Sequence, residues 1–342
     1  MSEVLQPARR TAAGADRPRV GFLGVGWIGR HRMEAMLAEG AIEAAAVADP
    51  SPEMAQAALG LAPGATVARD LDGLLELGLD GLVIATPSAL HAEQAARALR
   101  EGVAVFCQKP LGRTAEEVRM VVEAARAADR LLCVDLSYRF TEAARRIRQL
   151  VRGGELGRVF AADLVFHNAY GPDKAWFYDP ALSGGGCVMD LGVHLVDLAL
   201  WMLDFPEVAE VNGRLFAGGA PLAWPGQQVE DYATADLALA DGTGIRIACS
   251  WRLQAGCEAE ISAAFYGTAG GASMRNVGGS FYDFAADRLC GTQAERIAAP
   301  PDAWGGRAAQ DWARRLAAGE RFDAEALRLI GVAETLDRIY GR

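Results

Sequence analysis

The chain has 342 residues, 51% hydrophobic and 23% charged, which is enough apolar material for about two domains with real cores and too little charge for global disorder. Its formal net charge of −10, from 34 basic and 44 acidic residues, argues against a nucleic-acid or anionic-membrane surface. The six cysteines (107, 133, 187, 249, 257 and 290) form no C-x-x-C and no Cys/His cluster, so reduced thiols in a cytoplasmic protein are expected, with no metal site.

Residues 1–18 carry Arg9-Arg10 without an apolar run behind them and read as a disordered leader. No segment reads as the ~20 apolar residues of a membrane span. A short apolar run, Val20 to Leu23, then meets Gly24-Val25-Gly26-Trp27-Ile28-Gly29, a helix-compatible stretch, and a second apolar run ending at Asp49-Pro50. Gly24 permits a tight turn, Gly26 lets a pyrophosphate approach the backbone, and Gly29 lets the helix pack on the sheet, with its free N–H groups toward the phosphates. Asp49, 20 residues past Gly29, is placed for the ribose hydroxyls. Its charge repels a 2′-phosphate and no arginine adjoins it in sequence, so NAD is favoured over NADP. Trp27, Ile28 and Pro50 are included among the cofactor contacts.

A second strand–helix unit is expected near Ala65 to Leu77, and Asp80 to Ala85 reads as a strand buried on both faces. It ends in Thr86-Pro87-Ser88, with His91 in the next helix's first turn, where open α/β sheets bind ligands. Ser88 reads equally as a helix cap and as a cofactor contact. The strand Val103 to Cys107 ends in Gln108-Lys109-Pro110, which directs Lys109 into the same crevice. Thr114 and Glu117 form a capping box, and Leu131 to Leu136 is the last strand of this half. The alternation predicts a doubly wound parallel sheet.

After Gly157 the pattern changes to alternating strands. In Gly244 to Arg252, Ile245, Ile247, Cys249 and Trp251 share one face and Arg246, Ser250 and Arg252 the other, as in an open antiparallel sheet on a helical layer. The richest stretch is Ser183-Gly184-Gly185-Gly186-Cys187-Val188-Met189-Asp190-Leu191-Gly192-Val193-His194. The glycines allow close backbone approach to a ligand, and Asp190 and His194 share a helix face. An imidazole suits removal of a hydroxyl proton near neutral pH, and the carboxylate can orient it or hold a neighbouring hydroxyl. The plainer alternative is a capping aspartate and a satisfied core histidine. Trp176 either stacks on a sugar face or packs in the core, and residues 277–304 shape either the pocket or a subunit contact.

Together G-V-G-W-I-G, A-T-P-S-A-L-H, Q-K-P, Arg139-Phe140 and G-G-G-C-V-M-D-L-G-V-H resemble the glucose–fructose oxidoreductase / inositol dehydrogenase (Gfo/Idh/MocA) family from about Arg19 to the C-terminus. The resemblance implies an NAD-binding Rossmann domain (19–139) and a substrate-binding and oligomerisation α/β domain (140–342) with a large open, mostly antiparallel sheet. It implies NAD(P)-dependent oxidation or reduction of a sugar, cyclitol or derivative, in a homodimer or homotetramer built through that sheet. Lys109, Asp190 and His194 match the family's catalytic positions, and Tyr138, His167, Asn168 and Trp176 are candidates for substrate contact. Gln108 stands where the family has glutamate. It can still bond a ribose, but a charge partner of Lys109 is missing. Two alternatives keep the fold: tightly held NAD serving a reaction with no net redox change, and a non-catalytic NAD sensor.

Overall fold

The computed structural model describes residues 17–223 and 227–342, so residues 1–16 of the expected leader fall outside it. Six parallel strands, β1 (Arg19–Leu23), β2 (Glu43–Ala48), β3 (Thr66–Val67), β4 (Gly81–Ile84), β5 (Ala104–Cys107) and β6 (Leu132–Val134), lie in the order β3-β2-β1-β4-β5-β6. The crossovers carry helices α1 (Trp27–Glu39), α2 (Pro52–Leu59), α3 (Leu71–Leu75), α4 (Ser88–Arg100) and α5 (Ala115–Ala128). Every residue of β4 and β5 is buried, as helices on both faces require. The strand order reverses between β1 and β4, and a crevice opens there at the carboxyl ends. The capping box forms by half. Thr114 Oγ accepts from Glu117 N–H at 3.2 Å, but the Glu117 carboxylate accepts from Arg113 N–H at 2.7 Å.

A single-turn helix (Ser137–Phe140) leads to α6 (Glu142–Arg152) and the second domain. There the Arg139 guanidinium pairs with the buried Asp197 carboxylate (Nε–Oδ2 2.8 Å), locking this junction to the core. Strands β7 (Val159–Asn168), β8 (Val208–Ala217), β9 (Ala220–Leu222), β10 (Tyr232–Leu239), β11 (Gly244–Ser250), β12 (Ala259–Gly267), β13 (Gly271–Asn276), β14 (Phe284–Cys290) and β15 (Gln293–Ala298) build one sheet. Its order is β15-β14-β13-β12-β7-β11-β10-β8-β9, antiparallel except for the β7–β11 pair. One face packs on α8 (Val193–Met202), whose residues are nearly all buried, as an all-round apolar helix must be. The short α7 (Pro180–Ser183) precedes it. The helical run Pro180–Met202 is in fact long and apolar enough for a membrane span, contrary to the reading above, but 89% of its apolar window is buried inside this fold, the mark of a core helix.

In β11 the alternation holds for Ile245, Ile247, Cys249 and exposed Arg246. Ser250 is on the outer face yet fully buried, because His167 Nδ1 lies 2.7 Å from its Oγ. The boundary at residue 139 is also crossed. Helix α9 (Arg307–Ala317) returns to the first domain, where the fully buried Trp312 packs on Phe106 and over Gly81. The final helix α10 (Arg328–Ile339) gives Ala333 to the α4–α5 side of that domain.

Candidate active site

The glycine turn after β1 divides its labour. Gly24 has φ 81°, and a Cβ there would stand 2.6 Å from the Ala85 carbonyl oxygen; at Gly29 it would stand 2.1 Å from Gly24 O. These two close the turn on itself and on the neighbouring strand. Gly26 opens outward, with Lys174 Nζ, at 3.8 Å from the absent Cβ, its nearest contact. Helix α1 starts at Gly26 with no capping side chain and no acidic residue in its first turn, so its N–H donors and dipole remain available to an anion. Asp49 closes the other side, Oδ2 accepting from Val25 N–H (2.8 Å) and Oδ1 from Ser51 N–H (2.9 Å). No arginine adjoins Asp49 in sequence, but the fold brings Arg30 near: its guanidinium bonds Val25 O at 3.2 Å and lies 3.0 Å from Met54 Sδ.

From this turn a cleft of about 1340 Å³ runs between the domains. Gly24, Gly26, Trp27, Ile28, Asp49, Pro50, Thr86, Pro87, Ser88, His91, Gln108, Lys109, Tyr138, Trp176, Asp190 and His194 all line it. Gly29 packs beneath the turn instead. His167 and Asn168 are elsewhere, and the pleat explains the first. Phe166 points to the core, so His167 points to the outer face, stacked on Tyr232 and bonded to Ser250; Asn168 turns its Oδ1 to Tyr170 N–H at 2.7 Å. Pro87, not Ser88, is the residue before α4, so the cap reading of Ser88 fails. Both ring nitrogens of buried His91 sit 2.7 Å from main-chain carbonyls, Pro110 O and Thr86 O, so the ring lies between the two crevice loops and, when neutral, donates to one of them. Of residues 277–304, Tyr282, Asp302, Ala303 and Trp304 reach the cleft.

At the far end, Lys109 Nζ donates to Asp190 Oδ1 (2.7 Å) and Asp190 O (2.8 Å), and Trp251 Nε1 donates to Asp190 Oδ2 (3.1 Å). Asp190 therefore orients the lysine rather than the imidazole. It sits in a π-helical turn, Val188–Gly192, whose extra residue per turn shifts it off the α-helical alignment with His194. His194 packs edge-on to Tyr138 (4.8 Å), and its buried Nδ1 has no hydrogen-bond partner. Burial, then the charges of Lys109 and Arg32, hold the ring well below the ordinary histidine range, so it is neutral at neutral pH. Burial pushes the Tyr138 phenol upward, which leaves it as an uncharged wall.

The glutamine at 108 has a local cause. Its Nε2 donates to Asp135 Oδ2 at 2.5 Å, and Arg32 Nε donates to the same oxygen at 2.6 Å. A second carboxylate at 108 would face Asp135 with like charge, whereas an amide satisfies it. The charge partner thought missing from Lys109 is Asp190. Asp135 is 1% exposed and its Oδ1 has no protein partner. Sequence reading passed over Asp135, although it stands just past the carboxyl end of β6, the same kind of position that singled out Lys109.

The glycines 184–186 fit packing rather than ligand approach. A Cβ on Gly185 would stand 1.9 Å from Tyr340 Oη, and one on Gly186 1.9 Å from Glu230 O. Fully buried Glu230 accepts from Gly186 N–H (2.9 Å), Val188 N–H (2.9 Å) and Tyr340 Oη (2.7 Å), so a carboxylate caps the helix that carries Asp190 and His194. Gly186→Ala should therefore cost about 1–3 kcal/mol by overpacking, read as a lower denaturant midpoint; an unchanged midpoint would show the contact to be dispensable.

All four histidines are lowered, with burial the largest cause in each. The fold thus prefers neutral rings. Above about pH 6.5 both folded and unfolded chains carry neutral rings; below it the unfolded chain takes up protons that the buried His91 and His194 refuse, and stability falls by up to about 1.4 kcal/mol per pH unit for each. Asp197 and Glu230, raised by burial, act in the opposite sense nearer the carboxylate range. Denaturation midpoints should drop between pH 7 and 5.5, and a flat profile there would contradict the assignment.

Comparison with known proteins agrees with this geometry. Residues 18–136 match the family model described as oxidoreductase family, NAD-binding Rossmann fold, and residues 144–273 match the GFO/IDH/MocA C-terminal domain. The chain is 32% identical over 177 residues to D-glucoside 3-dehydrogenase of Escherichia coli (strain K12), covering 51% of this chain and 50% of that protein. It is 31% identical over 248 residues to the proposed UDP-kanosamine synthase oxidoreductase subunit of Amycolatopsis mediterranei (strain S699), covering 68% of each. The matched segments span about half the length of the first curated relatives. Levoglucosan dehydrogenase, solved with NADH and levoglucosan, superposes with TM-score 0.80 at 21% identity over 94% of this chain and 96% of that one, a likeness of fold. The chain belongs to the Gfo/Idh/MocA family of oxidoreductases.

Proposed function

We propose that the protein is an NAD-dependent oxidoreductase moving a hydride between the cofactor and a secondary alcohol or ketone carbon of a sugar, cyclitol or derivative. The observation that carries this reading is that Lys109 and His194 open on the same cleft that begins at the glycine turn. The cradle at Gly26, the uncapped N-terminus of α1 and the unpartnered Asp135 Oδ1 fit a dinucleotide lying along that cleft. When bound, its nicotinamide supplies the hydride acceptor in oxidation and the donor in reduction. Neutral His194 takes the hydroxyl proton of the alcohol, or returns it to the ketone oxygen. Two of the three Lys109 donors are spent on Asp190, which leaves one for the substrate oxygen, stabilising alkoxide character. Asp190 and Trp251 position that ammonium. Tyr138, Trp176 and Trp304 offer apolar ring faces suited to the C–H face of a sugar ring.

The names of the relatives, a glucoside dehydrogenase and a levoglucosan dehydrogenase among them, support the sugar class. Asp49, facing the ribose end, supports NAD over NADP. The test is a panel of sugars, glycosides and cyclitols with NAD, and of their keto forms with NADH, followed by cofactor absorbance. At least one pair should turn over; a panel silent in both directions with a protein that binds NAD would overturn the oxidoreductase reading. We further propose a cytoplasmic homodimer or homotetramer joined through the outer face of the nine-stranded sheet, which carries Tyr266, Tyr232 and Phe216. Sedimentation as a monomer at micromolar concentration would overturn that assembly.

A further inference from the structure

We propose that Lys174, carried by the second domain, clamps the diphosphate of the dinucleotide held on the first. The inference rests on the reading that the glycine turn holds a dinucleotide. Three observations converge on it.

The first is position. A Cβ built on Gly26, the glycine left open to the cleft, meets Lys174 Nζ at 3.8 Å and nothing nearer. The ammonium thus hangs over the uncapped N-terminus of α1, and an anion between them would meet N–H donors from below and a full positive charge from above.

The second is availability. Arg30 is engaged with Val25 O, Arg32 with Asp135, and Lys109 with Asp190. The Lys174 ammonium makes no side-chain hydrogen bond or ion pair among the described residues, although it lines the same cleft. A diphosphate bears two negative charges; of the cations lining the cleft among the described residues, Arg30, held by Val25 O and Met54 Sδ, and Lys174 have no carboxylate partner.

The third is composition. Of the 34 basic residues, 32 are arginine; the two lysines are Lys109 and Lys174. Both line the one cleft. Both lysines of the chain thus stand in the cleft, Lys109 at its far end on Asp190 and Lys174 over the glycine turn, where a compact ammonium on a flexible stem can reach in as a planar fork would not.

Lys174 also lies two residues before Trp176, in the segment between β7 and the helical turn Ala175–Tyr178. The proposed clamp and the Trp176 wall of the cleft thus sit on one short segment.

The test compares wild type and Lys174→Gln by calorimetry with three probes: NAD, ADP-ribose, which keeps the diphosphate, and adenosine, which lacks it. The variant should bind NAD and ADP-ribose about tenfold more weakly each, with adenosine affinity unchanged, and the dependence of NAD affinity on salt should be shallower than in wild type. Unchanged affinity for NAD and ADP-ribose, or a parallel loss for adenosine, would overturn the clamp. Because the side chain is exposed, thermal melting of the free variant should match wild type, which separates binding loss from misfolding. Wild type that binds neither NAD nor ADP-ribose would instead overturn the dinucleotide reading itself, and the clamp with it.

Discussion

Replacing His194 by alanine should lower the rate of hydride transfer by about 10²–10⁴-fold while leaving NAD affinity unchanged. The ring is the neutral imidazole of the cleft, lowered by burial and by the charges of Lys109 and Arg32, so it can accept a proton without first losing one. Its Nδ1 has no protein partner, so alanine strands no buried donor or acceptor, and the fold loses mainly the edge contact with Tyr138. Rate and stability should therefore separate. The acid limb of the wild-type pH–rate profile should lie below the ordinary histidine range and should vanish in the variant. Equal single-turnover rates for the two proteins would remove His194 from the chemistry.

Lys109→Met should reduce the same step by about 10²–10³-fold, with a different accompanying cost. The lysine is bound to both the carboxylate and the carbonyl of Asp190, and the pair is only about one-fifth exposed. Methionine keeps the stem and removes the ammonium, leaving that carboxylate with Trp251 Nε1 alone, at a cost of about 1–3 kcal/mol. Loss of rate with loss of stability is thus the signature expected for Lys109, against loss of rate alone for His194. A Lys109→Met protein as active as wild type would refute the role given to the ammonium.

The placement of the glycine turn, Asp49 and Lys109 at the cleft was legible because each obeys a local rule: a strand, its carboxyl end, and the residue type found there. Gln108 was legible as a departure, but its reason was not, since that depends on Asp135 and Arg32 arriving from β6 and α1. The glycines before Asp190 were recognised as close-approach residues, yet what approaches is Glu230 and Tyr340, from 44 or more residues downstream. His167 falls outside the cleft because neighbours on a strand face opposite ways, and a shift of one residue moves a side chain from the core face to the outer face of the sheet. The two-layer architecture could be read from periodicity, whereas the return of α9 to the first domain could not, because an amphipathic helix does not say which sheet will cover it.

In the proposed mechanism Lys109 and His194 act on one substrate oxygen. A double-mutant cycle on single-turnover hydride transfer, with wild type, Lys109→Met, His194→Ala and the double variant, tests it most directly. If the two groups serve the same oxygen in the same step, the double variant should be only slightly slower than the slower single variant. Losses that multiply in full would mean that the two side chains act independently, and the shared-oxygen account would be wrong.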